Sequence, residues 1–517
     1  MDSMRVFAGS WLSENRSMQT NSLEEDEVRN RIKFIQLQLT EYSVISVISV
    51  ALEGLAQHKP WTFPDLQAMP GLTLLLVKWA LQNPSCGIYL GKSITIREFD
   101  NFRQRLWNLT GLAKSGSENT YAMVRSILSV QIDFQRRSPW GFMRWPSLLA
   151  KLAPNHPSRA QFFNAFGISP EDFIDACWIL QQPLQGGNLE IGPKWFASIP
   201  DCYKDSVVRI LRTIGRDVLE LRENLTSHWS TYQPSSWELF ESPFAKKYPL
   251  LNIGENSWRL WHPAMFERGM EEAVHLGLTH LGSEYTEVFS RVFEAYVVDL
   301  ASEMMPDHIS ESKWKAAMGH NAPSVEAILP AGYVNIFIEA KMSLFHDAAL
   351  IEDTELGLSR RLERVIYAVE QGWKVSKLLR QRPRNFPRRA EASEEYLLIV
   401  TNRELHMGSG QSLERLISDG RLQCPDADTQ ARLPLQNVFI MSVEGFEHLQ
   451  QTVIHGKVEL LDVLRSAKAA NADASTAAMY FDDHLKKYTK SWRVPELLRS
   501  AQAAAVARLT AGYQPAS

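Results

Sequence analysis

A glutamate and a lysine close a strongly apolar segment near residue 340. In "GYVNIFIEAKMS" (332–343), residues 333–338 are ordinary strand material, and Glu339 and Lys341 follow them two positions apart. Because side chains alternate across a β-strand, this spacing places the carboxylate and the ammonium on one face. Two opposite charges at the end of a buried strand could bind a divalent cation and orient a water molecule beside a phosphate.

Two further glutamates precede this pair. Glu326 lies on the strand-like run before a "PAG" turn, so pairing of the two runs would bring its carboxylate to the face of Glu339. Glu294 lies among apolar residues of an amphipathic helix predicted over 283–305. Carboxylates on such surfaces are costly unless they meet a cation. The pattern therefore predicts a Mg²⁺ site in which Glu326, Glu339 and Glu294 bind the metal and Lys341 positions the attacking water.

A basic segment follows the strand. Residues 360–389 contain ten lysines and arginines against only Glu363 and Glu370, in a chain whose formal net charge is −4. Such clusters neutralise phosphates, whereas the alternative interpretation is a solvated helix face followed by a surface loop. The candidates for nucleic-acid contact are Lys374, Lys377, Gln371, Arg360 and Arg364.

The elements around these residues alternate between helix and strand. The spacing predicts helices over 262–282, 283–305 and 358–381, two short strands around the "PAG" turn, and strands over 394–402 and 433–443. That order predicts an α/β domain with a mixed sheet flanked by helices over residues 241–465. Residues 1–240 are predicted to form a largely α-helical region, and residues 466–517 a C-terminal helical extension.

Composition limits the class of protein. With 517 residues, 45% hydrophobic and 22% charged, the chain is predicted to be globular, and its net charge of −4 excludes a basic nucleic-acid coat. The longest apolar runs, 42–52 and 72–81, are too short to cross a bilayer and are predicted to be buried helices. Four widely spaced cysteines predict reduced thiols, so we expect a cytoplasmic protein without membrane contact.

The segments "FEAYV", "SVEAIL", "NIFIEAK" and "YLLIVTN" together resemble the PD-(D/E)xK nuclease superfamily over about residues 245–465. The resemblance implies a restriction-endonuclease-like αβββαβ core and a Mg²⁺-dependent endonuclease, with Mn²⁺ as a substitute and DNA favoured over RNA. It places Glu339 and Lys341 on the family's Glu-x-Lys pair and Glu294 on the acid of the first core helix. Glu326 stands where the family usually has aspartate, and its side chain is one methylene longer, which would shift a bound metal by about a bond length.

The layout of a helical region ahead of such a domain is similar to that of bacterial antiphage-defence effectors. It implies that residues 1–240 sense a phage-derived protein and release the nuclease, and cutting both strands of a duplex would suit a homodimer. Two alternatives stay open. One is a catalytically weak or inactive nuclease-fold protein that binds nucleic acid or a partner, which Glu326 supports; the other is an RNase acting on tRNA or other cellular RNA.

Overall fold

The computed structural model describes residues 21–57, 69–113, 119–135, 140–185, 188–227, 231–342, 348–352, 354–417, 420–473 and 475–513. The protein belongs to the α/β class, as the sequence predicts. Residues 1–20 of the predicted sensor region lie outside the described part. No helix in the described ranges is long and apolar enough to span a membrane.

Helices make up most of the described chain. In chain order they are Asn21–Leu39 (α1), Val44–Ala56 (α2), Pro70–Gln82 (α3), Ile96–Ala113 (α4), Thr120–Ile132 (α5), Gly141–Ala150 (α6), Pro157–Phe166 (α7), Pro170–Gln185 (α8), Pro193–Ala197 (α9), Asp201–Ile214 (α10), Val218–Thr226 (α11), Pro263–Leu278 (α12), Ser283–Met304 (α13), Glu311–Met318 (α14), Ala348–Ile351 (α15), Glu355–Arg361 (α16), Glu363–Gln381 (α17), Pro387–Ala390 (α18), Gly410–Leu416 (α19), Ala427–Arg432 (α20), Val443–Gly456 (α21), Leu460–Asn471 (α22), Phe481–Leu485 (α23) and Glu496–Gly512 (α24).

The strands are shorter and form two sheets. They are Glu190–Ile191 (β1), Gly215–Arg216 (β2), Leu250–Gly254 (β3), Ser257–Leu260 (β4), Ile309–Ser310 (β5), Ala327–Ala331 (β6), Val334–Lys341 (β7), Glu394–Thr401 (β8) and Val438–Ser442 (β9). The four-stranded sheet has the order β1-β4-β3-β2, and the five-stranded sheet the order β5-β6-β7-β8-β9.

The chain divides into two compact units. One comprises the described parts of Met1–Ser117, Ser126–Gly282 and Leu497–Ser517; the other comprises Glu118–Arg125 and Ser283–Glu496. The predicted division of the chain into residues 1–240, 241–465 and 466–517, with the role given to each region, stays a prediction.

The first unit is mainly helical. The apolar run 42–52 forms most of α2, which buries one face, and the run 72–81 forms α3, which is buried almost all round, so both predicted buried helices are confirmed. Within this unit, Arg508 on α24 makes a bidentate contact with the buried carboxylate of Asp175 on α8, with both N–O distances 2.7 Å. That geometry holds the last helix of the chain to the unit.

The second unit is built on the five-stranded sheet. β6 and β7 pair as an antiparallel hairpin, and Gly332 takes a φ of +61° in the connecting turn, a value that glycine adopts without strain. β7, β8 and β9 run parallel, and α17 lies in the connection between β7 and β8. The apolar runs of β7 and β8 are buried along almost their whole length, as expected for strands covered on both faces.

Two predicted elements differ from the structure. The helix predicted over 358–381 is divided into α16 and α17 at Leu362, where φ −98° and ψ 9° depart from helical geometry while the side chain stays fully buried in the core. The strand predicted over 433–443 is confined to β9, because Leu435–Asn437 forms a 3-10 turn ahead of it. The helix predicted over 283–305 and the two strands around the turn are confirmed.

Candidate active site

The end of β7 carries the Glu339–Lys341 pair. β7 is buried from Val334 to Ala340, and only Lys341 at its end is partly accessible. Glu339 is 2% exposed, and its Oε1 atom accepts a hydrogen bond from the Lys341 ammonium. Its other oxygen, Oε2, is buried without any hydrogen-bond partner among the described residues. A buried carboxylate oxygen without a partner is costly, and a bound cation would satisfy it.

Glu326 lies beside this pair, at the start of the neighbouring strand β6. It stands one residue before β6 rather than within it, and its backbone N–H donates to the carbonyl of Ile338 at 3.0 Å. Because Ala327 pairs with Ile338 in the hairpin register, Glu326 is at the same end of the hairpin as Glu339. The sequence prediction that the turn brings these two glutamates together therefore agrees with the register.

The electrostatics of the two carboxylates show how closely they are grouped. Burial, followed by the negative charges of Glu339, Glu294 and Glu311, raises the pKa of Glu326 to about 8. Burial also raises the pKa of Glu339 to about 7, against the favourable charge and hydrogen bond of Lys341. Burial, with too little positive charge nearby to offset it, therefore keeps both glutamates partly protonated at neutral pH.

Two helices add further carboxylates. Burial raises the pKa of Glu294 on α13, a shift opposed by the charge of Lys341 and reinforced by that of Glu311. Glu311 is the first residue of α14; burial acts to raise its pKa, but hydrogen bonds from Lys315 and Ser324 outweigh that effect and lower it. The sequence analysis missed Glu311, although a serine followed by a glutamate at a helix start could have drawn attention to it.

Side chains of α17 border the same region. Gln371 donates from Nε2 to the carbonyl of Ser324 at 3.3 Å, close to Glu326 in the chain, and Arg364 donates to the carbonyl of Met342 at 3.0 Å, directly after Lys341. Tyr367, which the sequence analysis did not single out, has the Lys341 ammonium 6.0 Å from its ring centroid. Two of the predicted contact residues on α17 therefore lie beside the site.

Three other predicted contact residues are placed differently. Lys374 is exposed and lies 5.3 Å from the ring centroid of Tyr367, whereas the ammonium of Lys377 is 3.4 Å from Oδ2 of Asp426. Arg360 is exposed at the end of α16. In the described part of the chain, no contact joins it to the glutamates at positions 294, 311, 326 and 339. Of these three residues, Lys374 is the one that lies near Tyr367.

The described side chains do not form a complete metal-binding site by themselves. In the described ranges, no three acidic, histidine or cysteine side chains converge tightly enough to surround a metal ion. Mg²⁺ needs only one or two carboxylates together with water and substrate phosphate, so the unpartnered Glu339 Oε2 and the neighbouring Glu326 carboxyl fit such an ion.

Comparison of the chain with known proteins gave no match to a family model, to a curated protein or to a solved structure.

Proposed function

We propose that this chain is a cytoplasmic, metal-dependent nuclease that hydrolyses phosphodiester bonds, with DNA as the favoured substrate. The observation that carries the proposal is the unpartnered Oε2 of Glu339, buried beside the ammonium of Lys341 and among three other glutamates. A buried group of like charges of this kind is expensive, and a catalytic cation is the simplest reason for a protein to keep one.

Glu326 and Glu339 would hold the divalent ion, and Glu294 would assist from α13. When bound, Mg²⁺ or Mn²⁺ would supply Lewis-acid polarisation of a phosphate oxygen and a more acidic water molecule. The carboxylates must lose their protons to bind the ion, since the pKa of Glu326 is raised to about 8 and that of Glu339 to about 7. Metal affinity should therefore increase with pH across this range.

Lys341 has the electrophilic role in this proposal. Its ammonium already contacts Glu339, and rotation of a flexible four-carbon stem can bring it to a substrate phosphate. There it would orient the attacking water and stabilise the negative charge that develops on the phosphate in the transition state. Burial of the strand end would strengthen that interaction, because screening by water is weaker there.

The order of elements in the second unit supports a restriction-endonuclease-like core. Helix α13 precedes the strand series β5, β6 and β7, and α17 then leads into the parallel strand β8. The short helix α14 is an addition between β5 and β6. In this proposal residues 1–240 sense a phage-derived protein and restrain the nuclease, which is inferred from the layout of the chain.

The test is incubation of purified protein with plasmid DNA, single-stranded DNA and RNA in Mg²⁺, with EDTA as the metal-free control. Lys341→Met removes the ammonium at nearly constant length, and Lys490→Met removes an exposed ammonium elsewhere in the second unit. We expect cleavage by the wild type and Lys490→Met and none by Lys341→Met. Cleavage that survives Lys341→Met would contradict the assigned site, and binding without cleavage of any substrate would favour the inactive nuclease-fold alternative.

A further inference from the structure

Most charges of the basic segment 360–389 are engaged in holding the fold. Six of its ten basic side chains contact a carboxylate or a backbone carbonyl elsewhere in the second unit: Arg361 with Glu352, Arg364 with Met342, Lys377 with Asp426, Arg380 with Glu395, Arg382 with Met318, and Arg389 with Gly332. Lys374 pairs along its own helix with Glu370 at 3.4 Å, and its side chain is 48% exposed. Its ammonium also lies 5.3 Å from the ring centroid of Tyr367, so Lys374 is an accessible cation of this segment that lies near the site.

Tyr367 lies near both Lys341 and Lys374. Its side chain is 49% exposed on α17. The ammonium of Lys374 lies 5.3 Å from the ring centroid and that of Lys341 6.0 Å from it. Lys341 in turn contacts Glu339. An accessible aromatic ring therefore lies beside the proposed site of hydrolysis, with two ammonium groups within 6.0 Å of its centroid.

Resting on the proposed function, we infer that Tyr367 is a stacking platform for an unpaired base next to the phosphate at Lys341. The substrate is accordingly single-stranded nucleic acid, or an unpaired end or loop. An aromatic ring beside cations is the combination with which proteins hold single strands, because an unpaired base offers its face while a base inside a duplex is already stacked on both sides. Lys374 contacts a neighbouring phosphate of the same strand.

The test separates binding from cleavage. Binding of labelled single-stranded DNA, single-stranded RNA and duplex DNA is measured by fluorescence anisotropy in EDTA, for the wild type, Tyr367→Ala and Tyr367→Phe. Tyr333→Ala is the matched control, since Tyr333 is 69% exposed but lies in the turn at the other end of β7. We expect tighter binding of single strands and a loss of roughly 5- to 150-fold in Tyr367→Ala, with Tyr367→Phe close to the wild type.

A salt titration tests the second contact. Lys374→Met should reduce the salt dependence of single-strand binding by about one phosphate contact, whereas Lys490→Met, which removes an exposed ammonium elsewhere in the second unit, should leave it unchanged. Equal salt dependence in wild type and Lys374→Met would overturn the assignment of Lys374.

The outcomes also distinguish this inference from the proposed nuclease activity. Equal single-strand affinity in wild type and Tyr367→Ala would overturn the stacking platform, even if Mg²⁺-dependent cleavage occurs. Equal wild-type affinity for duplex and single strands would overturn the single-strand preference. Tyr367-dependent binding of single strands without cleavage in Mg²⁺ would support the platform and count against the nuclease. Preference for RNA over DNA single strands would support the platform and identify the RNA as the substrate class.

Discussion

Neutralising Glu326 should make the metal-free second unit more stable at neutral pH. The pKa of this buried carboxyl is raised from 4.5 to about 8 in the folded protein, so the folded state holds a proton that the unfolded chain releases. The resulting penalty is absent below pH 4.5, develops as pH rises, and is complete above pH 8. At pH 7 it amounts to about 3 kcal/mol, and glutamine, which carries no ionisable group, should remove most of it.

The assay is hydrogen exchange of the β6–β7 hairpin amides in EDTA between pH 5.5 and 8, corrected for intrinsic exchange rates. Hairpin exchange reports on the second unit alone, which matters because a chain with two compact units need not unfold in one step. In the wild type, the raised pKa of Glu326 should make the free energy of opening fall by about 1.4 kcal/mol per pH unit, and the raised pKa of Glu339 should add a similar slope up to about pH 7. Glu326→Gln should therefore remove about half of the slope below pH 7 and most of it above pH 7. Saturating Mg²⁺ should also flatten it in the wild type, because the bound ion replaces the proton.

The control is Glu414→Gln, which removes an exposed carboxylate on α19 of the same unit. It should keep the wild-type slope. Identical slopes in wild type and Glu326→Gln would refute the electrostatic grouping of the glutamates, since the raised pKa of Glu326 depends on burial among them.

Two further predictions concern the scaffold. Arg380→Met should destabilise the second unit by about 3–5 kcal/mol in the same hairpin hydrogen-exchange assay, because the fully buried Glu395 carboxylate loses the guanidinium that lies 3.4 Å from it in the wild type. A loss below about 1 kcal/mol would show that the pair is dispensable. Gly215→Ala should lower the thermal stability of the first unit by about 1–3 kcal/mol, because the new Cβ would lie 2.4 Å from the indole of Trp258. Gly192→Ala is the control and should be nearly neutral, because its Cβ would meet open space.

The parts of the fold that sequence predicts well are those set by local periodicity. The 3.6-residue spacing of buried side chains in α13 and the glycine-bearing turn between β6 and β7 are both local features, and the structure confirms them. Leu362 shows the limit: its apolar character fits a continuous helix, yet its backbone departs from helical geometry while its side chain is fully buried in the core. The apolar spacing of this segment therefore does not reveal the break between α16 and α17.

The sequence predicts only those residues of the candidate site whose positions follow from the alternation of side chains along paired strands. Glu326, Glu339 and Lys341 follow from the pairing of two adjacent strands, whereas Glu311 and Tyr367 approach from separate helices, and no local pattern links them to the strand end. Sequence also cannot show which cations are already engaged. Arg382 and Arg389 contribute to the local positive charge, yet in the structure they donate to backbone carbonyls at 2.6 and 2.9 Å.

The most direct test of the central claim is a Mn²⁺ titration in which calorimetric binding and cleavage of a labelled single strand are followed on the same protein. We expect one catalytic site, with binding that strengthens between pH 6 and 8 as the raised pKa values of Glu339 and Glu326 are passed. Cleavage should rise with occupancy of that site, and Glu339→Gln should abolish both. Cleavage by Glu339→Gln at the wild-type rate would contradict the assignment of Glu339 as a metal ligand. Equal Mn²⁺ affinity in Glu339→Gln and the wild type would contradict it as well.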